Sequence, residues 1–273
     1  MKIKIKDENL YLLLFLIIIL SILLLIIYIW IQSQRNFENF IQNNDNITVV
    51  ISRFAENINW IYDYPFNLCK IICYNKGKPF DDNFKIPNNC KIITLNNVGR
   101  ESHTYLTYII DNYNNLSKVT VFLPASCMDE HKRSKTLFVI NKAVKTENTV
   151  LSGSIFNDNI REVFKDFSLD VWKNTNINNI SINPIINLKL SELRPFYKWY
   201  DNNFENVDNH VVCWFGIFAV SKKHIIQHPI EKYKNLLHYL DDHHNPEVGH
   251  YMERSWGTLF YPYEKECVFS NQY

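Results

Sequence analysis

The run Leu10–Ile31 constrains this chain more than any other feature. It holds 22 residues without a charged side chain, and Ser21 is its only small polar residue. At the helical rise of about 1.5 Å per residue it spans about 33 Å, the thickness of a bilayer's hydrocarbon core. A cleaved signal peptide is the alternative, with an apolar region of about 7–15 residues ending at a small-residue cleavage site. Here the run is longer and leaves through Tyr28, Trp30 and Gln32, with no A-x-A-like site. The sequence therefore predicts a transmembrane helix in contact with the lipid bilayer, with aromatics at one interface. Lys2, Lys4 and Lys6 precede the run, and only Arg35 follows closely. The positive-inside rule then places the N-terminus in the cytoplasm and the rest of the chain in a lumen or outside the cell. The expected organisation is a tail over 1–9, a transmembrane helix over 10–31, a polar stalk over 32–46 and one domain over 47–273. Sequons at Asn46, Asn115 and Asn179 agree with a glycoprotein domain on that side, although an Asn-rich chain also produces sequons by chance.

The segment after the anchor is long enough for a sizeable core, and 47% of the chain is apolar and 15% aromatic. The chain's 29 basic and 28 acidic residues leave a net charge of +1, so there is no electrostatic case for a nucleic-acid partner. The six cysteines are Cys69, Cys73, Cys90, Cys127, Cys213 and Cys267. An even number in a lumenal domain allows disulfides, buried free thiols remain open, and no pair has zinc-finger spacing.

Ile47–Ser52 is a continuous β-branched run, the pattern of a strand buried on both faces. Leu68–Tyr74, Lys91–Leu95 and Ser117–Leu123 are further strand candidates. Between the last two, Leu106, Ile109, Ile110 and Tyr113 recur at helical spacing. Arg133–Asn148 fits a helix or a strand. Asn159–Phe167 and Ser191–Phe204 read as helical, with an irregular stretch over Leu169–Leu188 between them. Val211–Val220 reads as a strand broken at Gly216. His228-Pro229 opens a helix, and Val248–Phe260 is a last helix, whole or ended at Gly257. Strands alternating with helices indicate an α/β domain with a mostly parallel sheet.

In such sheets ligands bind beyond the carboxyl ends of the strands. That rule selects Arg53–Glu56 after the first strand and Asn96–Glu101 after the third. In the second of these, Gly99 and Arg100 open a helix whose N-terminus suits an anion, unless Gly99 only makes a turn and Glu101 only complements the helix dipole. A second cluster holds His243, His244, Glu247, His250, Glu253 and Arg254. Glu247, His250 and Glu253 share roughly one helical face, where a carboxylate beside a histidine can act as a base or hold a metal. The plainer reading of that cluster is a solvated acidic helix start. Walker, G-x-G-x-x-G and H-E-x-x-H motifs are absent, and Ser126-Cys127 lacks a nucleophile elbow.

The segments VISRFAENINW (Val50–Trp60), YNKG (Tyr74–Gly77), NVGRESHTYLTYIIDNY (Asn97–Tyr113), VTVFL (Val119–Leu123), GIFAVS (Gly216–Ser221) and VGHYMERSW (Val248–Trp256) together resemble a family of uncharacterised proteins carrying a domain of unknown function. That family in turn resembles nucleotide-sugar glycosyltransferases of the GT-A type. The resemblance implies a single GT-A-like, Rossmann-like domain behind the transmembrane helix. It implies transfer of a sugar from a nucleotide-sugar donor to a glycan or protein acceptor. The strand ending at Ser52, with Arg53 and Glu56, would hold the nucleotide, Arg100 would lie near the donor, and Gly216–Ser221 would line the acceptor side. Glu253 or Glu247 would be the base. GT-A enzymes usually hold a divalent metal, Mn or Mg, with an Asp-x-Asp motif, but here the strand ends Leu123-Pro124-Ala125-Ser126. Lys132, Arg133 or Arg254 would then neutralise the phosphates instead, with His250 as the one metal-ligand candidate. The alternative is a catalytically silent, membrane-tethered domain that binds sugars or a protein.

Overall fold

The β-branched run sits in the middle of a five-stranded sheet. The computed structural model of the chain describes residues 7–42, 46–81, 83–169, 188–205 and 207–270. β1 (Ile47–Arg53) lies between β2 (Lys70–Asn75) and β4 (Val119–Pro124). β3 (Cys90–Thr94) forms one edge and β7 (Phe218–Ser221) the other, in the order β3-β2-β1-β4-β7. The first four strands are parallel, and β7 runs antiparallel to β4 with Phe218 opposite Phe122.

Alternation along each strand divides the core into two. Val50, Ile72, Tyr74, Phe122, Phe218 and Val220 enter one apolar cluster. Val49, Ile51, Ile71, Cys73, Val121 and Ala219 enter the other. The first face is covered by α2 (Arg100–Asp111), α5 (Phe196–Asn203), α7 (Ile230–His238) and α8 (Glu247–Leu259). α3 (Glu130–Thr146) covers the second with Val139, Ile140 and Ala143, joined by Trp60 and Phe66 from the loop after β1. Many aromatics meet edge-on or tilted on the first face, among them Tyr105, Phe122, Phe218 and Trp256. A mixed α/β domain with a mostly parallel sheet therefore stands.

A smaller sheet joins β5 (Leu151–Ile155) to β6 (Val211–Val212) on one side and β8 (Val268–Ser270) on the other. The segment expected as one interrupted strand thus serves two sheets. Val211–Val212 pairs with β5, a turn over Trp214–Gly216 redirects the chain, and Phe218–Ser221 pairs with β4. Val150 and Ala219 exchange backbone hydrogen bonds of 2.9 and 3.0 Å at the seam between the sheets. Arg133–Asn148 resolves as helix, in α3. The helix expected over Asn159–Phe167 shrinks to the single turn α4 (Ile160–Val163), capped by the Asn159 side chain. α6 (Lys222–Ile226) follows β7 directly, and Gly257 lies inside α8 rather than ending it. The expected irregular stretch lies mostly outside the described residues, as does the sequon at Asn179. Asn115 is exposed, and Asn46 donates its side-chain amide to Glu147. All six thiols are buried and free.

Contacts divide the chain into two units, residues 1–44 and residues 45–273. In the first, α1 (Asp7–Gln42) contains Leu14–Gln32, a stretch long and apolar enough to cross a membrane and wholly unburied. Such a helix suits an anchor or a signal sequence. The helix continues to Gln42, through most of the stretch expected as a stalk.

β5 is the central strand of the smaller sheet, and its neighbour β6 approaches too closely for any side chain at Gly153. A Cβ there would lie 1.8 Å from the Val212 carbonyl oxygen. Gly153→Ala is expected to destabilise the domain by about 2–3 kcal/mol through overpacking. Urea denaturation of the detergent-solubilised chain measures this, and an unchanged midpoint would contradict the close approach.

Candidate functional site

The carboxyl ends of the parallel strands open into a cavity of about 330 Å³. β1 contributes Ser52, Arg53 and then Phe54 and Glu56, the residue after β2 is Lys76, and Asn97 follows β3. β4 ends at Pro124, with Ser126 and Lys132 beyond it. Arg100 and Glu101 of α2, Phe215, His244 and Glu253 complete the lining. Four side chains in this lining are cationic (Arg53, Lys76, Arg100 and Lys132) and three are acidic (Glu56, Glu101 and Glu253).

The loop after β1 is held by its own charged residues. Arg53 is 5% exposed and donates to Glu56 O, Asn75 Oδ1 and Lys78 O at 2.8, 2.7 and 2.7 Å. Its guanidinium also stacks 3.9 Å from the Phe80 ring centroid. Glu56 accepts from the amides of Phe54 and Ala55 at 2.8 and 3.0 Å. Both side chains organise the loop while presenting their charge to the cavity.

The next wall depends on a tight approach to α2. Gly99 takes φ 59° and donates its amide to His243 O at 2.7 Å, and a Cβ there would fall 2.4 Å from the Leu240 carbonyl. Lys76 reaches across from the end of β2 to the carbonyls of Val98 and Arg100. Burial pulls its ammonium down to about 8, against Glu101, which raises it. Arg100 donates to Asn245 Oδ1 at 3.2 Å and ion-pairs with Glu101.

On the opposite wall Lys132 donates to Ser126 Oγ at 2.8 Å and lies 3.5 Å from Asp129. Lys135, buried and pulled down to about 8 by burial, donates to Trp214 O at 2.6 Å. That bond anchors the turn carrying Phe215, whose amide donates to Glu253 Oε1 at 2.7 Å. Burial, then the nearby Glu101 carboxylate, raises Glu253 above the usual carboxylate range. Among the described residues, three other than glycine have positive φ: Arg100 at 52°, Glu147 at 47° and Phe215 at 66°. Glu147 ends α3. The other two line this cavity, and each costs of order 1–3 kcal/mol that the surrounding structure must offset.

The structure therefore brings Arg53, Glu56, Arg100, Lys132 and Glu253 to one cavity. Four other candidates do not line it. Arg133 is exposed on α3. Arg254 is packed against Phe167, Phe164 and Trp214 at 3.6, 5.1 and 5.3 Å, and burial pulls it down to about 10. His250 is pulled down to about 3 by burial and then by Arg100 and Arg254, and so stays neutral at pH 7. Glu247 is wholly buried. It accepts from the amides of Leu169 and Ser191 at 3.0 and 2.9 Å and pairs with Arg194 at 3.2 Å. Lys76 and Phe215 join the site without having been singled out, Glu101 lies at the end of the selected segment Asn96–Glu101, and Ser126 had been weighed only as a nucleophile. Lys76 directly follows a strand, so the strand-end rule extended to β2 finds it, whereas Lys132 was reached only through the resemblance. Nothing local in the sequence marks Phe215 or Lys135.

A model of the family described as Protein of unknown function (DUF3431) matches residues 48–272. The chain belongs to this family. The match runs from β1 through β8 and includes every residue of the cavity. No curated protein matches the sequence. The DUF3431 domain therefore carries the cavity complete within the matched region. The carboxylates Glu101 and Glu253 have no third His, Cys, Asp or Glu grouped with them at metal-ligand spacing among the described residues.

Glu247 and Glu253 have different tasks by their partners. Glu247→Gln removes a charge that two amides and a guanidinium satisfy, and a loss of about 2–3 kcal/mol of stability is expected. Thermal and urea unfolding of this variant check that value, and a stability unchanged from wild type would overturn the structural role.

Proposed function

We propose that this chain is a membrane-anchored, glycosyltransferase-like enzyme that takes a sugar from a nucleotide-sugar donor and passes it to a glycan or protein acceptor. One observation carries the reading. Glu253, with its raised proton affinity, faces the same cavity as Lys76, Arg100 and Lys132, at the carboxyl ends of a parallel sheet. A diphosphate leaving group needs positive charge, and an acceptor hydroxyl needs a base. The order β3-β2-β1-β4 also matches the first four positions of the nucleotide-binding Rossmann order 3-2-1-4-5-6, which supports a GT-A-like assignment at the level of fold analogy.

In this reading the acceptor oxygen attacks the anomeric carbon while Glu253 takes its proton. The bond from that carbon to the diphosphate oxygen breaks, with inversion, and the charge left on the diphosphate meets Arg100, Lys76 and Lys132. The loop held by Arg53 and Glu56 flanks the nucleotide. In this reading Leu14–Gln32 serves as a single-pass anchor, and the excess of lysines before it supports a domain in a lumen or outside the cell. The second reading is a silent sugar- or protein-binding domain. It is favoured by Arg53 and Glu56, whose polar groups are engaged by the protein's own loops after β1 and β2.

Titrating UDP- and GDP-sugars into the detergent-solubilised chain, with and without Mn²⁺, tests the proposal. Saturable binding of at least one donor is expected, similar in both conditions. Lys132→Met should weaken it by about tenfold, the value of one charge-assisted hydrogen bond. Glu253→Gln should leave binding within about twofold and abolish donor turnover. Donor affinity should also fall as pH rises past about 8, because Lys76 then loses its proton. Absence of any donor binding would sink the enzyme reading, and binding without turnover in the wild type would select the silent domain.

A further inference from the structure

We propose that His224, Glu264 and Cys267 form a zinc site that fastens α6 to the segment entering β8. None of the three lines the cavity, so the proposal stands independently of the donor reading. Their ligand atoms all lie within 4.8 Å of one another, the one such group among the described residues. His224 Nε2 is 3.2 Å from Glu264 Oε2, and Cys267 Sγ is 3.5 Å from the same oxygen. Tetrahedral zinc, with bonds of about 2.0 Å to nitrogen and oxygen and about 2.3 Å to sulfur, places nitrogen and oxygen about 3.3 Å apart and sulfur and oxygen about 3.5 Å apart. The observed separations match both edges.

The ligand types and their surroundings agree. Thiolate, imidazole and carboxylate together suit zinc, and one thiolate with one carboxylate balances its charge. A ligating histidine has its other ring nitrogen held by an outer partner. Here His224 Nδ1 lies 2.6 Å from Thr149 Oγ1 and 3.1 Å from Ser221 Oγ, and Thr149 Oγ1 accepts from the Ser221 amide at 2.9 Å. Nε2 is thereby turned to Glu264. His224 and Cys267 are buried while Glu264 is exposed, so the ion has an entry path beside its carboxylate ligand. Lys223 pairs with the other oxygen, Glu264 Oε1, at 2.6 Å and fixes the carboxylate. Without metal the same trio is a hydrogen-bonded cluster in which the imidazole and the thiol donate to one carboxylate oxygen.

Cobalt distinguishes the two. The full-length chain in detergent, stripped with a chelator, is titrated with Co²⁺ alone and then with Zn²⁺ alone. One equivalent of Co²⁺ should bind with a near-ultraviolet thiolate-to-cobalt band, and Zn²⁺ should displace it. Cys267→Ser should abolish the band. Glu264→Gln, at an exposed position, should weaken Zn²⁺ binding at least tenfold with its urea midpoint checked against wild type, and Thr149→Val should weaken it about tenfold. No thiolate band in the wild type, a band retained in Cys267→Ser, or unchanged affinity in Glu264→Gln would each overturn the site.

Discussion

Burial of both faces of the five-stranded sheet is the constraint on which the rest of the structure depends. Val49, Val50 and Ile51 are all fully buried in succession, as are Val121, Phe122 and Leu123 on the neighbouring strand. A strand with no wet face has room for charged side chains only at its ends. The parallel strands end together, so the polar residues that follow them converge. Arg53, Lys76, Asn97 and Ser126 meet for this reason, although they are far apart in the chain.

Convergence alone does not make a defined cavity. Two walls are held by backbone in the left-handed region, one at Gly99-Arg100 and one at Phe215-Gly216. Each is fixed by a buried lysine donating to backbone carbonyl oxygen, Lys76 to Val98 and Arg100, and Lys135 to Trp214. The lysines neutralise local dipoles and set where Arg100 and Glu253 stand. The electrostatics of the site therefore rest on groups that serve as scaffold and charge at once.

The parts of this arrangement with local signatures were legible in the sequence. Continuous β-branched runs located β1 and β4, helical spacing located α2, and the strand-end rule led to Arg53 and Arg100. The smaller sheet left less trace: only β6 fell inside a segment read as strand, and there as part of one longer strand. β6 is two residues long and β8 three, too short for a period to show, and β5 contains Ser152, Gly153 and Ser154, which weaken its strand pattern. Glu247 and Glu253 are indistinguishable by spacing, because both lie on α8. Their difference is in what surrounds them: Arg194 and two amides for one, and the Glu101 carboxylate with the Phe215 amide for the other. Those partners come from remote parts of the chain, and no window of sequence contains them.

The turn at Trp214–Gly216 is the shortest path between the two sheets. Val212 is committed to β5 and Phe218 to β4, so the backbone between them has no slack. The register of the small sheet is thereby passed on to the aromatic ring and amide that meet Glu253. A slip of β6 by one residue would turn its side chains to the opposite face and pull Phe215 out of the cavity wall. The small sheet is in effect the jig that sets the position of a group on the far side of the seam. Its tolerance to sequence change is governed by the chemistry of the cavity as well as by its own packing.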